Sequence, residues 1–224
     1  MKDRPDRKPL RTEAELRIGK EIESIFAASQ DSIEIRLENF PKYVRRSNIT
    51  RFLALYEIFK QVLGLKGSVV ECGVNRGFRL MTWAKLSAVL EPNNLTRRIY
   101  GFDTFAGFPS VHELDRAPGG ESPIAGGLAS DSYDELVRLL ALYDDDRFLG
   151  HVPKVELIKG DATESIPAFL ESHPHLVVSL LFMDFDLFEP TRAALEAFVP
   201  RMPRVPSSPS TSWTTPSGRA RRWP

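Results

Sequence analysis

Cysteine is almost absent from this sequence, since Cys72 is the only one among 224 residues. An intrachain disulfide is therefore excluded, and such a composition is typical of a reducing compartment. Long apolar runs are also missing, because the longest, residues 176–183, is far too short to span a bilayer. The first eight residues are charged and contain no apolar stretch, so no signal peptide is predicted. We therefore expect a cytoplasmic protein.

An excess of charge of either sign is missing as well. Lys and Arg together number 30, Asp and Glu together number 30, and the formal net charge is +0. Nothing in the overall charge indicates a nucleic acid or an anionic membrane as a partner. The apolar fraction of 42% and the charged fraction of 27% are ordinary for a globular protein. A chain of this length can form one domain with a sizeable core and a small appendage.

The most informative stretch is residues 69–109. It begins as a buried strand and enters the turn E-x-G-x-x-x-G, which runs from Glu71 to Gly77. An apolar helix and a second strand that leads into Asp103 follow, a pattern typical of the first half of a nucleotide-binding α/β sheet. The G-x-G-x-x-G turn that cradles a pyrophosphate is absent. An acidic residue in its place favours a cationic cofactor, of which S-adenosylmethionine is the obvious candidate.

Hydrophobic patterns predict an alternating α/β domain behind an N-terminal helical extension. We expect an extension at residues 1–46, a domain at 47–204 and a disordered tail at 205–224. The predicted strands are residues 68–72, 98–102, 155–158 and 176–183, and the predicted helices are residues 12–29, 48–63, 78–90, 133–143, 163–171 and 190–199. Gly64 is predicted as the C′ residue of one helix and Pro190 as the N1 residue of another.

Four predicted strands end in or beside an acid, namely Glu71, Asp103, Asp161 and Asp184. The carboxyl ends of parallel strands share one edge of the sheet, where ligands bind, so these acids should converge. We expect Asp103 on the ribose hydroxyls, in preference to a helix-capping role, and Glu71 at the amino-acid end of the cofactor. Asp161 either contacts the adenine amino group or caps the helix that follows it.

Asp184 and Asp186 lie two residues apart at the end of the fourth predicted strand. Their hard oxygen atoms suit Mg²⁺, which would lower the pKa of a substrate hydroxyl. A hydrogen-bonded pair that caps the loop is the open alternative. His112, in a long loop, is interpreted as a surface residue, and the pair Arg97-Arg98 as solvated or structural.

Four segments of the chain resemble the macrocin O-methyltransferase family of S-adenosylmethionine-dependent sugar methyltransferases. They are residues 70–77, 100–109, 160–162 and 183–191, of which the second and fourth are the most specific. The resemblance covers about residues 43–202 and implies a Rossmann-like class I methyltransferase fold with a mainly parallel sheet. The cofactor-binding residues that it implies are Glu71, Cys72, Gly73, Arg76, Gly77, Asp103, Thr104, Phe105, Asp161 and Ala162.

The resemblance also implies Mg²⁺ at Asp184, with Asp184 and Asp186 as the catalytic residues. It implies a small-molecule hydroxyl acceptor that carries a sugar and lies beneath the loop after Pro109. The predicted function is therefore S-adenosylmethionine-dependent O-methyl transfer. A cofactor-binding remnant without catalysis and an NAD-dependent oxidoreductase are the alternatives; the gap of about 30 residues from Gly73 to Asp103 argues against the oxidoreductase. We expect no nucleic-acid or membrane partner and leave a homo-oligomer open.

Residues 205–224 depart from the family pattern, which continues with a fifth strand that carries an acidic pair and with two further strands. This segment contains five Ser, four Pro, three Thr and three Arg, and no Asp, Glu, Lys, Leu or Ile. Its composition is similar to that of a peptide translated from GC-rich coding DNA in a shifted reading frame. The alternative is a natural tail translated in the correct frame. We therefore expect the C-terminal strands to be absent, and Mg²⁺ binding and methyl transfer by this chain to be weak.

Residues 106–132, with five glycines and three prolines, form a long connection that we predict to be a lid over the acceptor. Limited proteolysis within this segment should slow when cofactor and acceptor are both present, because closure removes the backbone from the protease. The same digestion with cofactor alone is the control. Equal cleavage rates without ligand, with cofactor alone and with cofactor plus acceptor would contradict a lid.

Overall fold

The computed structural model describes residues 12–116 and 123–203. The first eleven residues of the predicted extension, part of the predicted lid and the predicted tail at residues 205–224 lie outside this description. The chain forms two compact units, Met1–Gln61 and Val62–Pro224. This division falls after the boundary at residue 46 that the sequence pattern suggested, so the helix Arg46–Lys60 belongs to the first unit. No helix in the described ranges is both long and apolar enough to cross a membrane.

The first unit is helical, as predicted, but it contains one more helix than the pattern indicated. Its elements are α1 (Glu13–Ala28), α2 (Ile33–Glu38), a 3₁₀ turn (Phe40–Lys42) and α3 (Arg46–Lys60). Ser32 caps α2, since its Oγ accepts a hydrogen bond from the Ile35 amide at 3.2 Å. The C-cap of α3 is Gln61, so the prediction of Gly64 as its C′ residue is wrong. A helix as short as α2 has too few turns for a periodicity signal.

The described residues of the second unit form four parallel strands in the order β3-β2-β1-β4. The strands are β1 (Ser68–Cys72), β2 (Ile99–Asp103), β3 (Val155–Lys159) and β4 (Val178–Met183), and the helices between and after them are α4 (Phe78–Leu90), α5 (Tyr133–Asp146), α6 (Ala162–Ser172) and α7 (Phe188–Phe198). The predicted Rossmann-like α/β fold is confirmed. Because β1 pairs with β2 on one side and β4 on the other, the strand order reverses at β1, and a crevice opens there at the carboxyl edge.

Alternate residues of the central strands build the core on one face of the sheet. Val70 and Cys72 from β1 and Phe102 from β2 are fully buried and pack with α6 and α7. The Phe102 ring meets Phe169 of α6 edge to face at 5.2 Å and tilts against Phe198 of α7 at 5.5 Å. Short apolar runs are the pattern that predicted these strands, and all 5 residues of β1 are buried.

The start of α7 differs from the prediction. The helix begins at Phe188, so Pro190 lies within the first turn and not at N1. Proline is tolerated there because the first amides of a helix have no partner within the helix. The Phe188 amide instead donates to Asp115 Oδ1 at 2.7 Å, and Asp115 lies far away in the sequence.

Arg97 is a buried structural residue, only 1% exposed, and is not solvated. Its Nε lies 2.7 Å from Glu91 Oε1 in a buried ion pair. Its remaining guanidinium nitrogens donate to the Ser179 hydroxyl and to the carbonyl oxygens of Val62, Leu65 and Gly67. One side chain thus fixes the segment before β1, the start of β4 and the end of α4.

Arg97→Lys should therefore destabilise the fold strongly. The lysine ammonium group cannot reproduce the planar fork of donors of the guanidinium. Buried carbonyl oxygens would be left without a donor, and Glu91 would be paired imperfectly. We expect a loss of about 3–5 kcal/mol in the free energy of unfolding, measured by urea denaturation. Arg138→Lys, at an exposed position of α5, is the matched control and should change little. Equal stability of the two variants would contradict this role for Arg97.

Candidate functional site

The glycine turn after β1 is held close to the end of β4. Gly73 has a φ of +90°, and a Cβ there would lie 2.3 Å from the Asp184 carbonyl oxygen. Gly77 has a φ of +79°, and a Cβ there would meet Leu136 Cδ2 at 2.2 Å. Both glycines of the E-x-G-x-x-x-G motif are therefore required by conformation and by space. The approach at Gly73 brings the two strand ends together at the crevice.

Asp103 ties the turn after β1 to the turn after β2. Its Oδ2 accepts the Asn75 amide and its Oδ1 accepts the Phe105 amide, both at 2.7 Å. Two backbone donors fix the carboxylate in one orientation, while each oxygen retains a second lone pair. Asp103 can therefore accept two further hydrogen bonds from a ligand in the crevice, such as those of a ribose diol.

A cleft opens at this edge of the sheet. The predicted site residues that line it are Gly73, Asp103, Thr104, Asp161, Ala162, Asp184 and Asp186. The structure therefore brings together acids from the ends of three strands, β2, β3 and β4, as the sequence pattern predicted. Glu71, Cys72 and Gly77 are buried, Phe105 is nearly so, and Arg76 is exposed.

Asp161 both caps a helix and faces the cleft. Its Oδ1 accepts the Thr163 amide at 2.9 Å and the Thr163 hydroxyl at 2.8 Å, and this caps α6. The same residue lines the cleft. Of the two roles that the sequence left open, capping is present in the structure, and the adenine contact stays a prediction that is compatible with it.

Glu71 does not reach the cleft directly. Its side chain is fully buried, and burial raises its pKa to about 8, although the Arg79 guanidinium and the Trp83 indole NH partly offset that effect. Arg79 Nε lies 3.4 Å from Glu71 Oε1. The predicted contact between Glu71 and the amino-acid end of the cofactor stays a prediction, and Arg79 lies next to this carboxylate in the structure.

Arg79 is a site residue that our reading of the sequence missed. Its Nη2 donates to the Gly73 carbonyl oxygen at 2.7 Å and lies 2.6 Å from Asp184 Oδ2. The side chain is 12% exposed, whereas that of Asp184 is 45% exposed. A charged residue in the first turn of the helix, directly after the glycine turn, was the available signal.

The two acids after β4 supply few ligands for a metal. The Asp184 amide donates to the Cys72 carbonyl oxygen at 2.8 Å, which sets the position of the residue. Asp186 has a φ of +57° and also lines the cleft. Across residues 12–116 and 123–203, no three His, Cys, Asp or Glu residues form a group that could hold a metal ion.

The described parts of the long connection after β2 fold back beside the cleft. The Gly126 amide donates to the Phe108 carbonyl oxygen at 2.9 Å, and the Phe108 amide donates to Gly127 at 3.1 Å. Asp115 accepts the His112 amide as well as the first amide of α7, so the connection is fastened to that helix. His112, predicted as a surface residue, has a half-exposed side chain.

Comparison with known proteins identifies relatives of the chain. The sequence profile of the macrocin-O-methyltransferase family matches residues 49–205. The crystal structure of CalS11, a calicheamicin methyltransferase, is 34% identical, with a TM-score of 0.82 over 90% of this chain and 81% of that one. Apo CalS11, described as a TDP-rhamnose 3′-O-methyltransferase of calicheamicin biosynthesis, is 32% identical, with a TM-score of 0.72 over 86% and 76%. The O-methyltransferase NovP, at 23% identity and a TM-score of 0.52 over 69% and 61%, shares the fold. No curated protein sequence matches the chain.

The buried Glu71 should make stability depend on pH. The ordinary pKa of this carboxyl group is 4.5, and its pKa in the folded chain is about 8. At pH values between these two, the folded chain holds the Glu71 proton while the unfolded chain releases it. The stabilisation from this group is therefore complete below pH 4.5 and is lost as the pH rises through 8. Glu71→Gln should flatten this decline, which we expect to amount to a few kcal/mol.

Urea denaturation at several pH values across that window measures the effect. Glu135→Gln, at an exposed position of α5, is the control and should retain the decline of the unmodified chain. An identical pH dependence in the Glu71→Gln variant and the unmodified chain would show that Glu71 does not titrate in this range.

Proposed function

The chain belongs to the macrocin O-methyltransferase family of S-adenosylmethionine-dependent enzymes, and on that premise we propose that it methylates a hydroxyl of a sugar-bearing small molecule. The observation that supports this most directly is the arrangement of acids around one cleft. Asp103 is held rigidly by two backbone amides, and Asp184 and Asp186 line the same cleft from the end of β4. O-methyl transfer requires a fixed group that binds the cofactor and, beside it, a base that can take the proton of the substrate hydroxyl.

The cofactor proposed for this cleft is S-adenosylmethionine, which supplies an electrophilic methyl group on a positively charged sulfur. Asp103 would hold its ribose hydroxyls with the lone pairs that Asn75 and Phe105 leave free. Asp161 would accept from the adenine amino group, and the Gly73 turn would lie along the amino-acid end. The acidic lining of the cleft favours a cationic ligand by simple electrostatics.

The acceptor hydroxyl must lose its proton as its oxygen forms a bond to the methyl carbon. Asp184 and Asp186 are the carboxylates of β4 that line the cleft, and we propose one of them as the general base. The remaining contribution of the chain is to hold the hydroxyl oxygen in line with the methyl group and to exclude water. Arg79 limits the motion of Asp184 through their contact at 2.6 Å.

Mg²⁺, which the family resemblance implies, fits the described residues poorly. It requires near-octahedral oxygen ligands at short, fixed distances. The carboxylates offered together at the end of β4 are Asp184 and Asp186, and Asp184 already forms an ion pair with Arg79. For this reason we assign no step of the transfer to a metal.

The acceptor class proposed here follows the relatives. CalS11 is described as acting on TDP-rhamnose, and a sugar hydroxyl is the corresponding group proposed for this chain. We propose a cytoplasmic location, compatible with the single cysteine, and no nucleic-acid or membrane partner. Whether the protein forms a homo-oligomer stays open.

Asp103→Asn should weaken the binding of S-adenosylhomocysteine, the demethylated product, by about 1–3 kcal/mol, because a charged acceptor for the ribose is lost. Isothermal titration calorimetry measures this difference. Asp145→Asn, an exposed carboxylate of α5, is the matched control and should bind as the unmodified chain does. Thermal melting of both variants tests whether the two turns still fold. Unchanged affinity in a folded Asp103→Asn variant would remove Asp103 from the cofactor site.

The same titrations decide among the alternative functions. Binding of NAD in preference to S-adenosylhomocysteine would support the oxidoreductase. Cofactor binding without methyl transfer to any of a panel of nucleotide-linked sugars would support a remnant that has lost catalysis. Transfer of a radiolabelled methyl group to a sugar hydroxyl, abolished by the Asp184→Asn/Asp186→Asn double variant, is the outcome that we expect.

A further inference from the structure

One guanidinium joins the ends of the two central strands. Arg79 reaches from the first turn of α4 to the Gly73 carbonyl oxygen, to Asp184 Oδ2 and toward Glu71 Oε1. Its guanidinium carbon lies 5.1 Å from the centre of the Phe182 ring of β4. A positive charge therefore lies beside Gly73 and Asp184, two residues that line the cleft.

The contact with Asp184 is a close ion pair between oppositely charged side chains. The separation of 2.6 Å between Nη2 and Oδ2 is short for an ion pair, and the arginine side chain is largely shielded from water. Arginine keeps its charge at any accessible pH, so this partner of Asp184 is permanent unless another cation displaces it. A divalent ion on the same carboxylate would have to lie close to the guanidinium or move it away, and the first arrangement is electrostatically unfavourable.

We propose that Arg79 is the resident counter-ion and positioning residue of Asp184, and that it takes the place a divalent cation would otherwise occupy on this carboxylate. The proposal rests on the proposed function only in treating Asp184 as part of the transfer site. Arg79 holds Oδ2, which leaves Oδ1 to receive the acceptor proton. The same guanidinium fixes the Gly73 carbonyl oxygen, so the base and the cofactor turn are positioned by one side chain.

Arg79 could instead have a purely structural role. The affinity of Arg79 variants for Mn²⁺ distinguishes a structural role from a counter-ion role. Removing a structural residue loosens the site and cannot improve the binding of a metal. Removing a counter-ion exposes Asp184 and takes away a repulsive charge, so the affinity for a divalent cation should rise. Because Mn²⁺ binding needs no turnover, the result can be interpreted even if methyl transfer is never observed.

The experiment measures Mn²⁺ affinity by electron paramagnetic resonance of the free ion, using the full chain. Arg79→Met should bind Mn²⁺ about tenfold more tightly than the unmodified chain. The gain should disappear in Arg79→Met/Asp184→Asn, and Arg79→Lys should bind as the unmodified chain does. Lys85→Met, which removes an exposed charge from the same helix, is the matched control and should show no gain.

If Arg79→Met does not fold, the comparison is made with Arg79→Met/Glu71→Gln. Loss of the arginine leaves the buried Glu71 carboxyl group without its charged neighbour, and the second substitution removes that carboxyl group. The unmodified chain gives a further test, because it should bind Mn²⁺ no better than Asp184→Asn does. The proposal would be overturned if a folded Arg79→Met or Arg79→Met/Glu71→Gln variant bound Mn²⁺ no more tightly than the unmodified chain. Tight Mn²⁺ binding by the unmodified chain that Asp184→Asn abolishes would overturn it as well.

Discussion

The parallel pairing of β1 with both β2 and β4 is the constraint on which the site depends. Cys72 is the register partner of Phe102 on one side and of Met183 on the other. The next residue along each strand is therefore Gly73, Asp103 or Asp184, and all three lie at the same level of the sheet. A shift by one residue in either pairing would turn the acid to the opposite face, so the cleft and the core are fixed by the same register.

The fold followed from the sequence because its signals are local. The short apolar runs of β1 and β2 and the glycines of the turn predicted the strands, and Asp103 lines the cleft as expected. The interactions that escaped prediction join residues far apart in the chain, such as the bond from the Phe188 amide to Asp115 or the ion pair of Arg79 with Asp184. No periodicity records which carboxylate a given arginine meets, because that depends on the packed structure and not on spacing.

Two shielded arginines serve opposite edges of the same sheet, and their environments explain their different roles. Arg97 is 1% exposed, and its acceptors include carbonyl oxygens of the segment before β1, so it cannot move without breaking the fold. Arg79 lies at the carboxyl edge, where one partner, Asp184, is 45% exposed. A contact with an exposed carboxylate can be exchanged for a ligand, whereas the contacts of Arg97 with buried carbonyl oxygens cannot.

The carboxylates around the cleft also differ in what holds them. Asp103 accepts hydrogen bonds from backbone amides, and Asp161 accepts from the amide and the hydroxyl of Thr163, all of which are neutral donors. Asp184, by contrast, lies 2.6 Å from a charged side chain, that of Arg79. On the proposed function, a cationic cofactor would be drawn to the part of the cleft near Asp103, because the charge of Asp184 is matched by Arg79. This difference would separate the proposed cofactor region from the proposed general base.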